Sequence, residues 1–584
     1  MKKSQNLETL RHSTSHVLAA AVLEMFPEAK LAIGPAIENG FYYDFELPRT
    51  LIPEDLPILE EKMKKIIEAD YSFERAEISA EEAIKKFTEA GQPYKVELLE
   101  DIKSELSSDK ISIYKTGSLV DLCRGPHLDS TGEIKADALK LTKIAGAYWK
   151  GDEKNKMLQR IYGVAFESRK ELAQYLAMMA EAEKRDHRKI GAEQELFTFS
   201  PQIGSGLVVW LPKGNIIKEE IEKWAKETEE KLGYVRVTTP IITKEDLFYT
   251  SEHLPHYKES MYSPMDIDGE KYYIKPMNCP FHHTIFSHKK RSYRELPMRL
   301  AEYGWCHRYE DSGSLFGLMR VRGMQMNDAH IYCTKEQAVK EFVDVIKLHQ
   351  YYYDALGIKD YYMELALRNP DNKKYHGDLA MWKEAEDLMR EAMDISKVPY
   401  VIENDGAAFY GPKIDFQIKS ITGRIFTAST NQIDLFMPKK FDLKYIDKDG
   451  TEKYVVCIHR APLGTHERFI GFLIEHFAGI WPTWLSPVQV MILPVSEKFK
   501  DYAHSVETRF IASHVRATVD DSDESLGKRI REAEKQKIPY MLVVGEKEEK
   551  DGTIAVRTRG QKEQRVMKTD EFAEMITKEI RERK

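Results

Sequence analysis

The chain has 584 residues, 42% of them apolar and 31% charged, with a net charge of −8. That length exceeds what one hydrophobic core serves, so about three or four domains are expected, and the composition excludes a disordered or fibrous chain. The longest apolar runs, such as VLAAAV at 17–22, fall far short of the ~20 residues of a membrane helix, and no secretion signal opens the chain, which predicts a cytoplasmic protein that meets no membrane.

In chain order, an amphipathic helix is predicted over 7–26, a turn-rich strand region over 34–47, charged helices over 54–69, 80–90 and 95–103, and a strand over 111–123. A run of strong helix formers at 167–188 reads as a connecting helix. From about Ile190 to Ser486 long helices alternate with strand pairs, among them MRLAEYGWCHRYE, LMRVRGMQMNDAHIYC, KIDFQIK and RIFTASTNQIDLFM, which favours an antiparallel sheet. No GxxxxGK[ST] or GxGxxG occurs there, so a nucleotide has to be held by side chains. After Pro482 and Pro487 strands and helices alternate, as in a small α/β domain with mostly parallel strands. The domains are therefore placed at 1–166, 167–189 (the connecting helix), 190–485 and 486–584.

Cys123, Cys279, Cys306, Cys333 and Cys457 form no CxxC pair, which argues against a disulfide framework. In HSTSH, His12 and His16 are four apart on one helix face, and DLCRGPHL adds Cys123 and His127 at the same spacing. The four are zinc-type ligands, although a lone HxxxH is more often a pair of ordinary surface or core histidines. Net acidity does not exclude an anionic partner, because residues 287–325 carry eight Lys/Arg against four Asp/Glu. Arg308, Arg320, Arg322 and Arg468 put planar, permanently charged forks on predicted strands and a helix; taken singly, each reads as a solvated surface charge.

Their surroundings make a pattern. GWCHRYE, the loop DSGSLFG and LMRVRGMQMNDAH resemble the second signature of the class II aminoacyl-tRNA synthetases; GTHERFIGFLIEHFAG resembles the third. VRVTTPIIT resembles the first, whose proline, here Pro240, belongs to the dimer interface of the class. KPMNCP, NDAHIYC and IHRAPLG are similar to the threonyl-tRNA synthetase stretches that each contribute a zinc ligand, and LRHSTSHVLAAA, DLCRGPHL, GAYWKGDEKNKMLQRIYG and RDHRKIG match further segments of that family. The sequence is identified as a member of the bacterial-type threonyl-tRNA synthetase family, lacking the small N-terminal domain usual before LRHS.

The resemblance implies an α+β multidomain chain with an editing domain, a class II catalytic core and a C-terminal anticodon-binding α/β domain. It implies one zinc per subunit on Cys279, His330 and His459, three residues too dispersed in sequence to be read as a site without it. Arg308 would hold the carboxylate and α-phosphate, Glu310 the adenine amino group, Arg320 the γ-phosphate and Arg468 the adenine face or phosphate tail. Asp328 would receive the threonine hydroxyl, while Tyr410, Lys413, Thr430 and Gln432 line the pocket. Mg²⁺ would accompany ATP. His12, His16, Asp121, Cys123 and His127 would form a metal-free editing pocket that hydrolyses seryl-tRNA, and Glu548 and Arg557 would contact anticodon bases. The implied partners are threonine tRNA, ATP, L-threonine and a second copy of the chain.

The sequence departs from the family at Met324 and Met326, where phenylalanine and glutamine are usual, at Asn327 for aspartate, Phe281 for glycine, His466 for methionine, and Phe426 and Thr427 for a tryptophan-glutamine pair. A methionine packs on a purine but donates no hydrogen bond. The competing readings are a prolyl or seryl enzyme, which the zinc triad opposes; a silent RNA-binding regulatory paralogue, which the intact arginines and zinc ligands oppose; and a metallohydrolase centred on HSTSH and CRGPH.

Overall fold

The first helix, Lys2–Met25, is enclosed rather than amphipathic: from Leu10 to Val22 only His12 is not fully buried. Its polar residues tolerate this because they find partners. Thr14 Oγ1 donates to Leu10 O at 2.7 Å, and Ser15 Oγ to Gly34 O at 2.6 Å. The polar residues that sequence periodicity assigned to a solvent face are therefore inside.

The computed structural model describes residues 2–105, 110–372, 375, 377–420, 425–561 and 563–584, in two units, Met1–Ala180 and Glu181–Lys584. In the first unit the enclosed helix packs on an antiparallel sheet that includes Gly40–Glu46, Met157–Ala165 and Leu139–Tyr148, and on a three-stranded sheet of Glu74–Ser79, Lys110–Thr116 and Leu119–Leu122. The predicted strand over 111–123 is thus a hairpin, turned at Gly117 with φ +57°. The charged helices form over Asp55–Glu68, Ala80–Glu89 and Pro93–Glu105.

In the second unit the sheet has eight strands, in the order Val235–Arg236, Met298–His307, Gly323–Cys333, Val456–Arg460, Ile425–Asp434, Lys413–Lys419, Tyr361–Leu367, Tyr400–Asn404. Only the two edge strands pair in parallel; the six between are antiparallel. Helices Pro212–Lys231, Lys335–Ala355, Leu379–Ser396 and His466–Phe477 contribute to its apolar core, through Trp224, Phe342, Met389 and Leu473 among others. The C-terminal part of this unit has a five-stranded sheet in which Val490–Pro494 pairs in parallel with Ala517–Val519 and Tyr540–Val544. Its other two pairs, on Thr553–Thr558 and Gln564–Lys568, are antiparallel. The expected mostly parallel sheet is therefore half antiparallel, because the connections there, one holding only the short helix Glu546–Asp551, are too short for the crossover that parallel pairing needs.

Candidate functional site

Four strands bring six of the predicted residues of the second unit to one face. His330 stands opposite His459, His459 opposite Gln432, and Gln432 opposite Lys413. Residues in register project to the same side, and Asp328 and Thr430, two back on their strands, share it. Beside them opens a cavity of about 320 Å³, lined by all twelve predicted residues of this region: Cys279, Arg308, Glu310, Arg320, Asp328, His330, Tyr410, Lys413, Thr430, Gln432, His459 and Arg468. Arg322 does not line it; its Nε donates to Glu310 O at 2.8 Å and its guanidinium lies 4.7 Å from the Tyr309 ring centre.

Donor atoms of Cys279, His330 and His459 lie within 4.8 Å of one another, all three residues buried. Each imidazole already has one nitrogen engaged by an outer group: His459 Nε2 by Asp434 Oδ2 at 3.0 Å, and His330 Nδ1 by His282 Nδ1 at 2.8 Å, with His282 Nε2 on Glu302 at 3.1 Å. Outer partners of this kind orient metal ligands, so the residues present fit a zinc ion. Burial, then the neighbouring imidazoles, holds His330 well below the usual histidine range. Burial, then the Asp328 and Asp434 carboxylates, holds the Cys279 thiol well above its own, so metal uptake there releases a proton.

Asp328 Oδ2 accepts from Asn278 Nδ2 at 3.0 Å. Lys413 Nζ and Thr430 Oγ1 both meet Asp415, each at 2.6 Å, and Tyr410 donates to Gln432. Arg468 is exposed within the cavity; desolvation, then the like charges of Arg308 and Arg320, lowers its pKa against the opposing Glu310. Three guanidiniums so close together make a pocket for phosphate and carboxylate oxygens.

In the first unit, His12, His16, Cys123 and His127 present ligand-type atoms within 4.8 Å of one another. Cys123 Sγ lies 3.3 Å from His12 Nε2 and 3.2 Å from His127 Nε2. Ser13 Oγ holds His127 Nδ1 at 3.2 Å and accepts from Leu128 N at 3.0 Å. Gly125, at φ +71°, makes the turn between Cys123 and His127, and a Cβ there would meet the Tyr114 hydroxyl at 2.3 Å. Burial pushes His16 down to about 4 and His127 to about 2, lowers His12, and raises Cys123 to about 11, so all four are uncharged at neutral pH. Asp121 lies beneath them with Lys95 Nζ at 2.5 Å, the Tyr43 hydroxyl at 2.5 Å and His16 at 3.7 Å. Burial opposes its ionisation, but Lys95 and His16 outweigh that and hold the carboxyl below its usual range.

A model of the tRNA synthetase class II core domain (G, H, P, S and T) matches residues 259–477, one of an anticodon-binding domain 489–579, and one of the threonyl and alanyl tRNA synthetase second additional domain 111–162. A threonine-tRNA ligase of Geobacillus kaustophilus is 48% identical over 99% of this chain and 88% of its own length; one of Dehalococcoides mccartyi is 48% identical over 99% and 98%. The chain belongs to the threonine-tRNA ligase family. A solved structure titled as the RNA-binding domain of threonyl-tRNA synthetase from Cryptosporidium parvum aligns with a TM-score of 0.65 at 36% identity, over 67% of this chain and 98% of its own.

Within this family fold some departures find a reason. Met324 and Met326 both line the cavity, Met324 packed on Cys306 and Val321. Asn327 donates to the buried Glu229 at 2.9 Å, beside Arg460, whose Nη1 reaches the same oxygen at 2.8 Å; an aspartate at 327 would bring a second carboxylate against Glu229. His466 stacks on Tyr303 at 4.8 Å and reaches Glu222 at 3.3 Å. Phe281 is buried among Phe248, Leu254, Met261 and Tyr273, and Thr427 lines the cavity and donates to Gln417 at 3.2 Å.

Glu548 and Arg557 are not brought together: the Glu548 carboxylate accepts from Gly545 N at 3.0 Å and caps its own helix, whereas Arg557 lines a separate groove 3.7 Å from Glu534. Sequence reasoning missed Asn278, His282, Glu302, Asp415 and Asp434, which position the others. Of these only Asp415 carries a readable signal, the period-two spacing from Lys413 on one strand face.

Proposed function

We propose that this chain activates L-threonine with ATP, transfers it to the 3′ end of threonine tRNA, and hydrolyses mischarged seryl-tRNA in the first unit. The observation that carries this reading is the convergence of a Cys/His/His donor set and three guanidiniums on one cavity. In the first step a threonine carboxylate oxygen attacks the α-phosphorus of ATP and the bond to pyrophosphate breaks. Arg308 holds the carboxylate and α-phosphate, Arg320 the γ-phosphate, Glu310 the adenine amino group, and Arg468 the adenine face or phosphate tail, with Mg²⁺ accompanying ATP. The transferred group needs alignment and charge neutralisation more than a base of unusual pKa. In the second step the terminal ribose hydroxyl attacks the anhydride carbonyl and AMP leaves.

A zinc ion on Cys279, His330 and His459, one per subunit, would supply an open position for the amino group and hydroxyl of threonine. Asp328, steadied by Asn278, accepts the hydroxyl hydrogen bond. A site that binds a hydroxyl rejects the analogue lacking it by ~10⁴–10⁵, but a missing methyl yields only ~10–200-fold. Valine is thus excluded here and serine is not, which calls for the second site. There the uncharged imidazoles and thiol are suited to position the terminal adenosine and a water that attacks the ester, without a metal.

Exposed Val235, Ile241 and Ile242 around Pro240 support a homodimer through that surface, and the chain is assigned to the cytoplasm. Pyrophosphate exchange over a panel of amino acids tests the synthetic reading: threonine is expected to support exchange, and exchange with proline but not threonine would overturn it. For the second site, His12→Ala or Cys123→Ala is expected to let seryl-tRNA accumulate while threonylation persists; unchanged hydrolysis in both refutes that role.

A further inference from the structure

A second donor group adjoins the first. Donor atoms of His283, Asp434 and His459 also lie within 4.8 Å of one another, and all three residues are buried. His283 follows Cys279 by one helical turn on the helix Cys279–Ser287, and its Nδ1 is taken by the Tyr332 hydroxyl at 2.9 Å. Its Nε2 is enclosed and has no hydrogen-bond partner among the described residues. In the tautomer whose Nδ1–H donates to Tyr332, Nε2 is an unpaired buried acceptor, costly to hold and with its lone pair free for a ligand. Asp434 is held in place by two backbone donors, Phe436 N and Met437 N, each 2.8 Å from Oδ1, which leaves Oδ2 directed at His459 Nε2. The His283 and His459 rings stand perpendicular with centres 6.0 Å apart.

We propose that His283, Asp434 and His459 form a second divalent-cation site of the zinc class, sharing His459 with the Cys279 and His330 group and filling after it. Two imidazoles and one carboxylate are a donor set that zinc and its first-row neighbours accept, with a position left over. A tetrahedral shell puts ligand atoms roughly 3.3–3.8 Å apart, so the present spacing needs only a small closure. The second ion binds more weakly for two reasons. A neutral histidine has one lone pair, so serving two ions requires His459 to lose its remaining proton, and the two dications repel at close range. Its arrival replaces the contact between Asp434 and His459, so the orientation of a ligand of the first site changes. Excess zinc is therefore expected to slow threonine activation. The proposal shares His459 and its partner Asp434 with the ligase reading; its inhibition arm rests on that reading, and the metal count does not.

The test is equilibrium dialysis of the full chain against Zn²⁺, and separately Co²⁺, with metal counted per chain. Two equivalents are expected in the second unit, the weaker one without the thiolate-to-cobalt absorption that Cys279 confers on the first. His283→Gln, whose amide can still reach Tyr332, and His283→Ala should each lose the weaker equivalent, keep the tighter one, and resist inhibition by excess zinc. Cys123→Ala reports metal taken by the first unit and should leave both equivalents in place. Saturation of the wild-type chain at one equivalent, loss of the weaker equivalent in Cys123→Ala, or its retention in both His283 variants would each overturn the proposal. Cys279→Ser should lose the tight equivalent and keep the weak one; a tight equivalent that survives Cys279→Ser counts against the ligase-site assignment and leaves the His283 result standing.

Discussion

At the scale of single residues, the candidate site depends on groups that touch no substrate. Asn278 holds Asp328, and Gly304, opposite Met326 on the neighbouring strand, makes room for it: a Cβ at 304 would meet Asn278 Oδ1 at 2.2 Å. Gly304→Ala is therefore expected to push Asn278 off Asp328, leaving a buried carboxylate without its amide. A lost buried hydrogen bond of about 1–3 kcal/mol corresponds to a roughly 5–150-fold fall in kcat/KM for threonine. Steady-state pyrophosphate exchange measures it, and an unchanged constant removes Asn278 from the positioning of Asp328. Metal analysis provides a second check at this scale. Cys279→Ser should lose about one zinc per chain and Cys123→Ala none; depletion in the Cys123 variant would exchange the assignments of the two clusters.

At the scale of elements, the first helix combines burial with titratable groups. His16 is fully buried and protonates at about 4 in the folded chain, against an ordinary value of 6.5, because burial disfavours its cation. Between those values the unfolded chain binds a proton that the folded chain refuses. Stability is thus complete above about pH 6.5 and falls as the pH drops, by about 1.4 kcal/mol per pH unit for this residue. His127, lowered to about 2 and less enclosed, adds to the slope in the same sense. Hydrogen exchange of the helix Lys2–Met25 in the full chain, corrected for intrinsic rates, should show easier opening at pH 5 than at pH 7, and His16→Asn should flatten that dependence. Equal dependence in variant and wild type would mean that His16 is solvated in solution.

At the scale of the whole molecule, two exposed surfaces give predictions about partners. Val235, on the parallel edge strand of the eight-stranded sheet, is 54% exposed, and just past Pro240 Ile241 and Ile242, the latter opening the strand Ile242–Lys244 of a separate sheet, are 44% and 42% exposed. An exposed edge of this kind is usually covered, so sedimentation should find a dimer, and Ile241→Asp should shift it to monomer. In the C-terminal part, Arg557 lies on an open groove with Arg559 and Gln561. Arg557→Ala is expected to raise the KM for tRNA while leaving pyrophosphate exchange unchanged, as a contact to a single-stranded loop would; the opposite pattern would place Arg557 in the folding of this part instead.

The sequence alone determined the residue types and their order: arginines, cysteine and histidines in stretches that resemble one family, strands by alternation, and helices by their formers. The helices over 54–69 and 80–90 and the hairpin strands ending in GWCHRYE were legible because local periodicity reports which face is buried. The first helix was misread as amphipathic because partners for Thr14 and Ser15 come from its own backbone and from a distant loop, which no window of sequence reveals. Only the tertiary structure decided that Cys279, His330 and His459, separated by up to 180 positions in the chain, meet at one point. It also decided that Asn278, Asp415 and Asp434 hold the site in place. The physical reason is strand register: side chains alternate with period two along a strand, but which strands are neighbours, and in what alignment, is set by packing of the whole sheet against its helices.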